Sequence, residues 1–170
     1  AVTFTLPEPP IALIASPSHT RFAITTEHAL HLIDPVATPC CKKIADNVIT
    51  AAFSPDSKKI AFAHTDGTIR TFFAEDTEGN EKHKEGDIIT LAVARRTTNL
   101  LWHREGHYLF IESMYENKNQ RSVALLENDE RDPRTLYTII ETAAWHYESQ
   151  TNTVYILENG HLAAINFLNE

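Results

Sequence analysis

Between Ile49 and Phe73 the chain reads ITAAFSPDSKKIAFAHTDGTIRTFF, three short apolar runs cut by two turn signals. The runs are rich in β-branched and aromatic residues, and Ser-Pro-Asp-Ser and Thr-Asp-Gly stand between them. Runs of this length bounded by Pro, Asp and Gly are strand signals. Asp66-Gly67 suits a tight hairpin, because glycine accepts a positive φ without a Cβ clash. Such a unit is too small to hold a core of its own and must bury its faces against further units of its kind.

The unit recurs, and recurrence decides the fold. TNLLWHREGHYLFIES, from Thr98 to Ser113, puts Trp102 in the place of Phe53 and Arg104-Glu105-Gly106 in the first turn. TAAWHYESQTNTVYILENGHLAAINF, from Thr142 to Phe167, offers Trp145 for the aromatic position and Asn159-Gly160 for the second turn. ALIASPSHTRFAITTEHALHLID, from Ala12 to Asp34, is a weaker copy in which Ser16-Pro17 matches Ser54-Pro55 and Ala15 holds the aromatic position. The position falls at 15, 53, 102 and 145, in steps of 38, 49 and 43 residues. These steps bracket the roughly 40–45 residues of a four-stranded blade. The longest step contains EDTEGNEKHKEGD, from Glu75 to Asp87, which reads as a solvated, flexible loop insertion.

Fourth strands are expected over Asp87–Ala94 and Thr135–Glu141, and a poor candidate lies around Lys43–Asn47. The last repeat has three strands. Val2–Leu6, before the break at Pro7, Pro9 and Pro10, is strand-like and is a candidate for its missing fourth. The expectation is a single all-β domain over 1–170, with four antiparallel blades at about 11–47, 49–94, 98–141 and 142–167 plus the N-terminal strand 2–6.

At these residues the chain resembles the WD40 and TolB-like β-propeller repeats. FSPDSKKIAFAHTDGTIRTFF is close to a WD-type blade core, and WHREGHYLFIES and AAWHYESQTNTVYIL look like drifted versions of the same strand pair. Asp66 sits where the family places its turn aspartate, but Phe72-Phe73 replaces the Trp-Asp and the Gly-His dipeptide is not at the blade entry. The resemblance implies a propeller of about four degenerate blades. It leaves three arrangements open: a ring closed by this chain alone, a portion of a larger propeller, or two copies joined as a homodimer.

Composition narrows the function classes. The net charge of −8 argues against a broad nucleic-acid surface, which needs clustered Lys and Arg. Lys42-Lys43, Lys58-Lys59 and Arg95-Arg96 read as solvated strand ends or turns. No apolar run approaches a transmembrane length of about 18 residues, and no signal-peptide pattern opens the chain. Cys40 and Cys41 are adjacent, a geometry that seldom bridges, so the expected compartment is a reducing, cytoplasmic one. A leader removed upstream of Ala1 is left open.

No catalytic, cofactor-binding or metal-ligating residue is singled out, and no cofactor is implied. His103 and His107 flank the turn of HREGH, but a zinc-protease motif needs one helical face to aim both imidazoles. His28 and His31 likewise fall in a hairpin. His146 follows Trp145 as His103 follows Trp102, which reads as repeat equivalence. Asp129, Glu130 and Asp132 lie in the linker ENDERDPR, where Pro133 and polar neighbours give neither the burial nor the opposed placement of a catalytic pair. Phe53, Trp102 and Trp145 are expected in the core. Recognition is expected in loops, above all Glu75–Asp87 and Tyr115–Arg121. The role that the propeller resemblance implies is a non-catalytic scaffold for protein partners. The alternatives are a gating or accessory propeller of a larger enzyme, such as a prolyl-oligopeptidase-like peptidase, and a periplasmic TolB-like component.

Overall fold

The computed structural model describes residues 5–78, 82–94, 96–114, 121–128, 136–142 and 144–167, with 136–138 in backbone only. Among them are fifteen strands and no helix. Sheet 1 contains β1 (Pro10–Ala15), β2 (Phe22–Thr26), β3 (Ala29–Ile33) and β4 (Cys41–Asp46). Sheet 2 contains β5 (Val48–Phe53), β6 (Lys59–His64), β7 (Thr68–Phe73) and β8 (Ile88–Val93). Sheet 3 contains β9 (Thr97–Trp102), β10 (Tyr108–Met114), β11 (Arg121–Glu127) and β12 (Leu136–Thr142). Sheet 4 contains β13 (Ala144–Glu148), β14 (Thr153–Glu158) and β15 (His161–Asn166). Each strand pairs antiparallel with its sequence neighbour within its sheet.

Consecutive sheets stack face to face, and each seam has its own core. Leu30, Leu32, Phe53, Ile60, Phe62 and Phe72 pack between sheets 1 and 2. Ala61, Ala63, Phe73, Leu91, Trp102 and Leu109 pack between sheets 2 and 3. Phe110, Val123, Ile140, Tyr147, Val154 and Ile156 pack between sheets 3 and 4. The alternation of side chains along a strand produces this division. In β6, Ile60 and Phe62 face sheet 1 while Ala61 and Ala63 face sheet 3. Central strands covered on both faces read as continuous apolar runs, which is why KIAFAH carries no polar alternation.

The register corrects the repeat position in sheet 4. Ala15 pairs with Phe22, Phe53 with Ile60 and Trp102 with Leu109, and the equivalent pair is Tyr147 with Val154. Tyr147, not Trp145, is therefore the counterpart of Phe53 and Trp102. His146, opposite Tyr155, is not the counterpart of His103; Glu148 is. Trp145 lies two residues earlier on the same face, half-buried against the same seam. Phe53 and Trp102 are in the core as expected, at 8% and 5% exposure.

Other expectations also shift. The poor candidate near Lys43 is a full strand, β4, at the outer edge of sheet 1, with Lys42 and Lys43 exposed and the Lys42 ammonium 5.2 Å from the Phe72 ring centroid. Charge on an edge strand hinders pairing with other chains. Lys59 is not a solvated turn residue: it is 4% exposed, donates from Nζ to Gly106 O at 3.2 Å, and lies 5.4 Å from the Trp102 ring centroid. The expected N-terminal strand falls largely on residues outside those described, and Thr5 and Leu6 are not in a strand.

The outer strand of each sheet runs almost directly into the inner strand of the next. Asn47, at φ 55°, separates β4 from β5, and Arg96, at φ 59°, sits in the step from β8 to β9. At the two ends of the stack apolar surface is open. Ile11 and Leu13 of β1 are 71% and 65% exposed, and β15 is exposed at every position, with Leu162 at 71%.

Candidate interaction surface

The turns between the first and second strands of the four sheets lie at one end of the stack. The first three are built alike. Ser16, Ser54 and His103 each donate a backbone N–H across the turn to Arg21 O, Lys59 O and Tyr108 O, at 2.9 Å in each case. The left-handed residue is His19 (φ 57°), Ser57 (φ 65°) and Gly106 (φ 73°). Ser54 Oγ adds a donated bond to Asp56 Oδ1 at 2.6 Å and accepts one from Lys59 N at 2.9 Å. These bonds explain the Ser-Pro-Asp-Ser signal, because short polar side chains satisfy turn backbone locally. The fourth turn, Ser149–Asn152, instead places its left-handed residue last, at Asn152 (φ 52°).

The first three turns are each tied to the next sheet. Ser18 N donates to Ser57 Oγ at 3.0 Å, linking sheets 1 and 2. Lys59 and the Trp102 Nε1 bond to Ala52 O, 3.0 Å, link sheets 2 and 3. Arg104 N donates to the Tyr147 hydroxyl at 3.0 Å, which donates to Asn152 Oδ1 at 2.9 Å and so links sheets 3 and 4. The tips Pro17–Thr20, Pro55–Asp56, Arg104–Glu105 and Ser149–Thr151 remain exposed. The result is a row of exposed tips on fixed bases, the form that recognition loops take on a rigid scaffold.

The described part of the Glu75–Asp87 loop lies at the same end and carries contacts that its composition does not announce. Arg21 bonds Asp34 Oδ2 at 2.9 Å through Nε and Glu75 Oε1 at 2.7 Å through Nη1. Burial alone would lower the Arg21 pKa, but these two carboxylates outweigh it and raise it. Across the loop Lys84 Nζ meets Asp76 Oδ2 at 2.7 Å, and His83 stacks on Phe73 with centroids 4.1 Å apart. The described part of this loop contacts both sheets 1 and 2, through Glu75 on Arg21 and His83 on Phe73. The other expected recognition loop falls on 115–120, outside the described residues, and Arg121 begins β11.

Two polar clusters occupy the seam of sheets 3 and 4. Glu112, 6% exposed, accepts from Trp145 Nε1 at 2.6 Å, Thr98 Oγ1 at 2.8 Å and Arg121 Nη1 at 3.2 Å. Burial would raise its pKa, yet the three donors together hold it below the usual carboxylate range. His103, also 6% exposed, stacks on Tyr147 at 5.8 Å, and burial lowers its pKa. Burial likewise raises that of Tyr147. The Glu112–Trp145 bond and the His103–Tyr147 stack join sheet 3 to sheet 4, while Thr98 and Arg121 hold Glu112 from within sheet 3. Sequence reasoning passed over Glu112; its one signal was a lone acidic residue inside the apolar run YLFIES.

The remaining candidates are dispersed. HREGH is a turn between β9 and β10, with His103 buried and His107 exposed. His28 is in an exposed turn, and His31 is buried in β3 with its Nδ1 3.9 Å from Cys41 Sγ. Both cysteines are free, and burial raises the Cys41 thiol pKa. Asp129, Glu130 and Asp132 lie outside the described residues. Among the described residues no group of three His, Cys, Asp or Glu is placed to hold a metal ion, and no helix is long and apolar enough to cross a membrane.

No family model matches the sequence, and no curated protein matches it. Solved structures do match the fold. Hydrazine synthase of Kuenenia stuttgartiensis superposes with a TM-score of 0.61 at 13% identity, over 97% of this chain and 47% of that one. The Cps50 (Swd1) β-propeller domain of Myceliophteria thermophila gives 0.55 at 14% identity, over 97% and 60%. The tricorn protease gives 0.52 at 15% identity, over 88% of this chain and 15% of that one. The chain thus spans about half the length of the first two. Four antiparallel sheets stacked seam on seam, superposing on such chains, make this an all-β structure of the β-propeller fold.

Proposed function

We propose that this chain is a non-catalytic scaffold of degenerate WD-type blades, and that its row of cross-linked turn tips binds a protein partner. The observation that carries the reading is the relay from Ser18–Ser57 through Lys59–Gly106 to Arg104–Tyr147, which fixes exposed, chemically varied tips on one rigid base. Recognition by such a surface loses little ordering entropy on binding. Glu112, through Trp145, and His103, stacked on Tyr147, join sheet 3 to sheet 4, which supports a structural use of these buried groups.

A photo-crosslinking side chain at Glu105, on the row, or at Asp66, at the opposite end of sheet 2, tests this. Partner adducts are expected from position 105 and not from 66. Adducts from 66 alone, or from neither, overturn the reading. Arg104→Glu with Glu105→Arg should weaken the captured complex roughly tenfold without moving the melting midpoint, the scale of one interface anchor. A second reading follows from the likeness to the tricorn protease: the same surface belongs to an accessory or gating propeller of a larger enzyme. A nucleophile–base pair on a longer parent chain would favour that reading.

A further inference from the structure

His31 is a buried imidazole without an ordinary hydrogen-bond partner. It is 5% exposed, its Nε2 bonds to nothing among the described residues, and its Nδ1 meets only the thiol of Cys41, 3.9 Å away. The register explains this isolation. Leu30 and Leu32 of β3 face sheet 2, so His31 and Ile33 point to the opposite face of sheet 1. On that face His31 stands across from Ile24 of β2 and Lys43 of β4, and Ile33 stands across from Cys41. The side chains of Ile24 and Ile33, 7% and 3% exposed, offer no polar atom. Lys43 gives its ammonium to Asp46 Oδ1 at 2.7 Å. Cys41, diagonal to His31 between β3 and β4, is what remains. Buried polar rings in native folds are satisfied by protein, water or an ion, and a thiol at this distance is a poor substitute for any of them.

The pair has the chemistry and the spacing of a soft-metal site. Imidazole and thiolate are ligands of thiophilic first-row ions. Burial lowers the His31 pKa, which keeps the ring neutral and able to give a lone pair. With metal–sulfur and metal–nitrogen bonds of about 2.3 and 2.0 Å, a tetrahedral ion needs its two donors about 3.5 Å apart. The observed 3.9 Å opens the angle at the ion to about 130° for the same bonds. So wide an angle suits an ion of low coordination number. Among the described residues no third His, Cys, Asp or Glu is placed to complete a larger set. Both facts argue against zinc, which takes four ligands, and favour copper(I), which soft sulfur ligands select. Cys41 is half-buried, so its sulfur is open to an incoming ion.

We infer that Cys41 Sγ and His31 Nδ1 together bind one copper(I) ion on the face of sheet 1 turned away from sheet 2. The Cys41 thiol gives its proton to solvent as the sulfur–copper bond forms. His31 Nδ1 supplies the second electron pair with the ring proton on Nε2, and the copper keeps its oxidation state. Cys40, just ahead of β4, takes no part, because successive residues of an extended chain point to opposite faces.

Titration of the purified chain with copper(I), under anaerobic conditions with ascorbate and against a chromogenic copper(I) chelator, tests the site. One ion per chain is expected, retained in Cys40→Ser and lost in Cys41→Ser. His31→Phe keeps a ring in the buried place without a nitrogen, and should weaken binding roughly tenfold or more. Wild-type affinity in a folded His31→Phe chain would mean capture by an adventitious thiol only, and overturns the site. Loss of the ion in Cys40→Ser overturns it as well, as does wild-type chain that holds copper(I) no better than Cys41→Ser. X-ray absorption of the copper-loaded wild type gives a reading that needs no variant to fold. One sulfur and one nitrogen neighbour are expected, and two sulfurs, or sulfur alone, overturn the assignment.

Discussion

Trp102 and Trp145 look interchangeable in the sequence but do different physical work. Trp102 is 5% exposed, fills the seam of sheets 2 and 3, and ties to Ala52 through its indole N–H. Trp102→Ala should cost about 3–5 kcal/mol, the range for deleting a buried aromatic. Trp145 is half-buried, so Trp145→Ala should cost clearly less, most of it from leaving Glu112 short of a donor. Denaturant midpoints compare the two, and equal losses would contradict the register. Titration gives a second test. His103 and His31 are both held low by burial, whereas unfolded histidine titrates near about 6.5. Their contribution is complete above about pH 6.5 and fades as pH falls through the folded values. Glu112, held low in the fold, contributes fully above the unfolded value of about 4.3 and is lost below it. Stability should therefore decline on acidification in two steps. Urea midpoints across this range should show both, with His103→Gln shrinking the upper step and Glu112→Gln the lower.

Among the elements, the strands covered on both faces were the legible ones. KIAFAH declares itself because both of its sides are covered and apolar, and TIRTFF through its β-branched and aromatic residues. β4 was hard to see, since an edge strand needs only one face covered and carries Lys42, Lys43 and Asp46. The aromatic of sheet 4 was misplaced because the eye settles on the largest ring. The spacing of seven residues from the end of the first strand into the second marks the equivalent position and leads to Tyr147. The contact of Glu75 with Arg21 is not legible in the sequence, because the two lie 54 residues apart. That contact is testable. Arg21→Ala should accelerate amide exchange at Lys84–Asp87 and cost about 1–2 kcal/mol, as a partly buried charged pair would. Unchanged exchange in the loop would show that Arg21 does not hold it.

Over the whole molecule, the three seams are separate cores connected only through the sheets between them. Substitutions in different seams should therefore add. Phe62→Leu and Phe110→Leu lie in the first and third seams, and their combined cost should equal the sum within about 0.5 kcal/mol. Phe110→Leu with Val154→Ala shares a seam and should depart from the sum. Equilibrium unfolding of the single and double variants measures both. This partition also bears on history. A seam can drift, swapping Phe53 for Trp102 or Tyr147, without compensation elsewhere. A chain organised in this way tolerates duplication or loss of a unit, and its copies lose resemblance to one another faster than they lose shape.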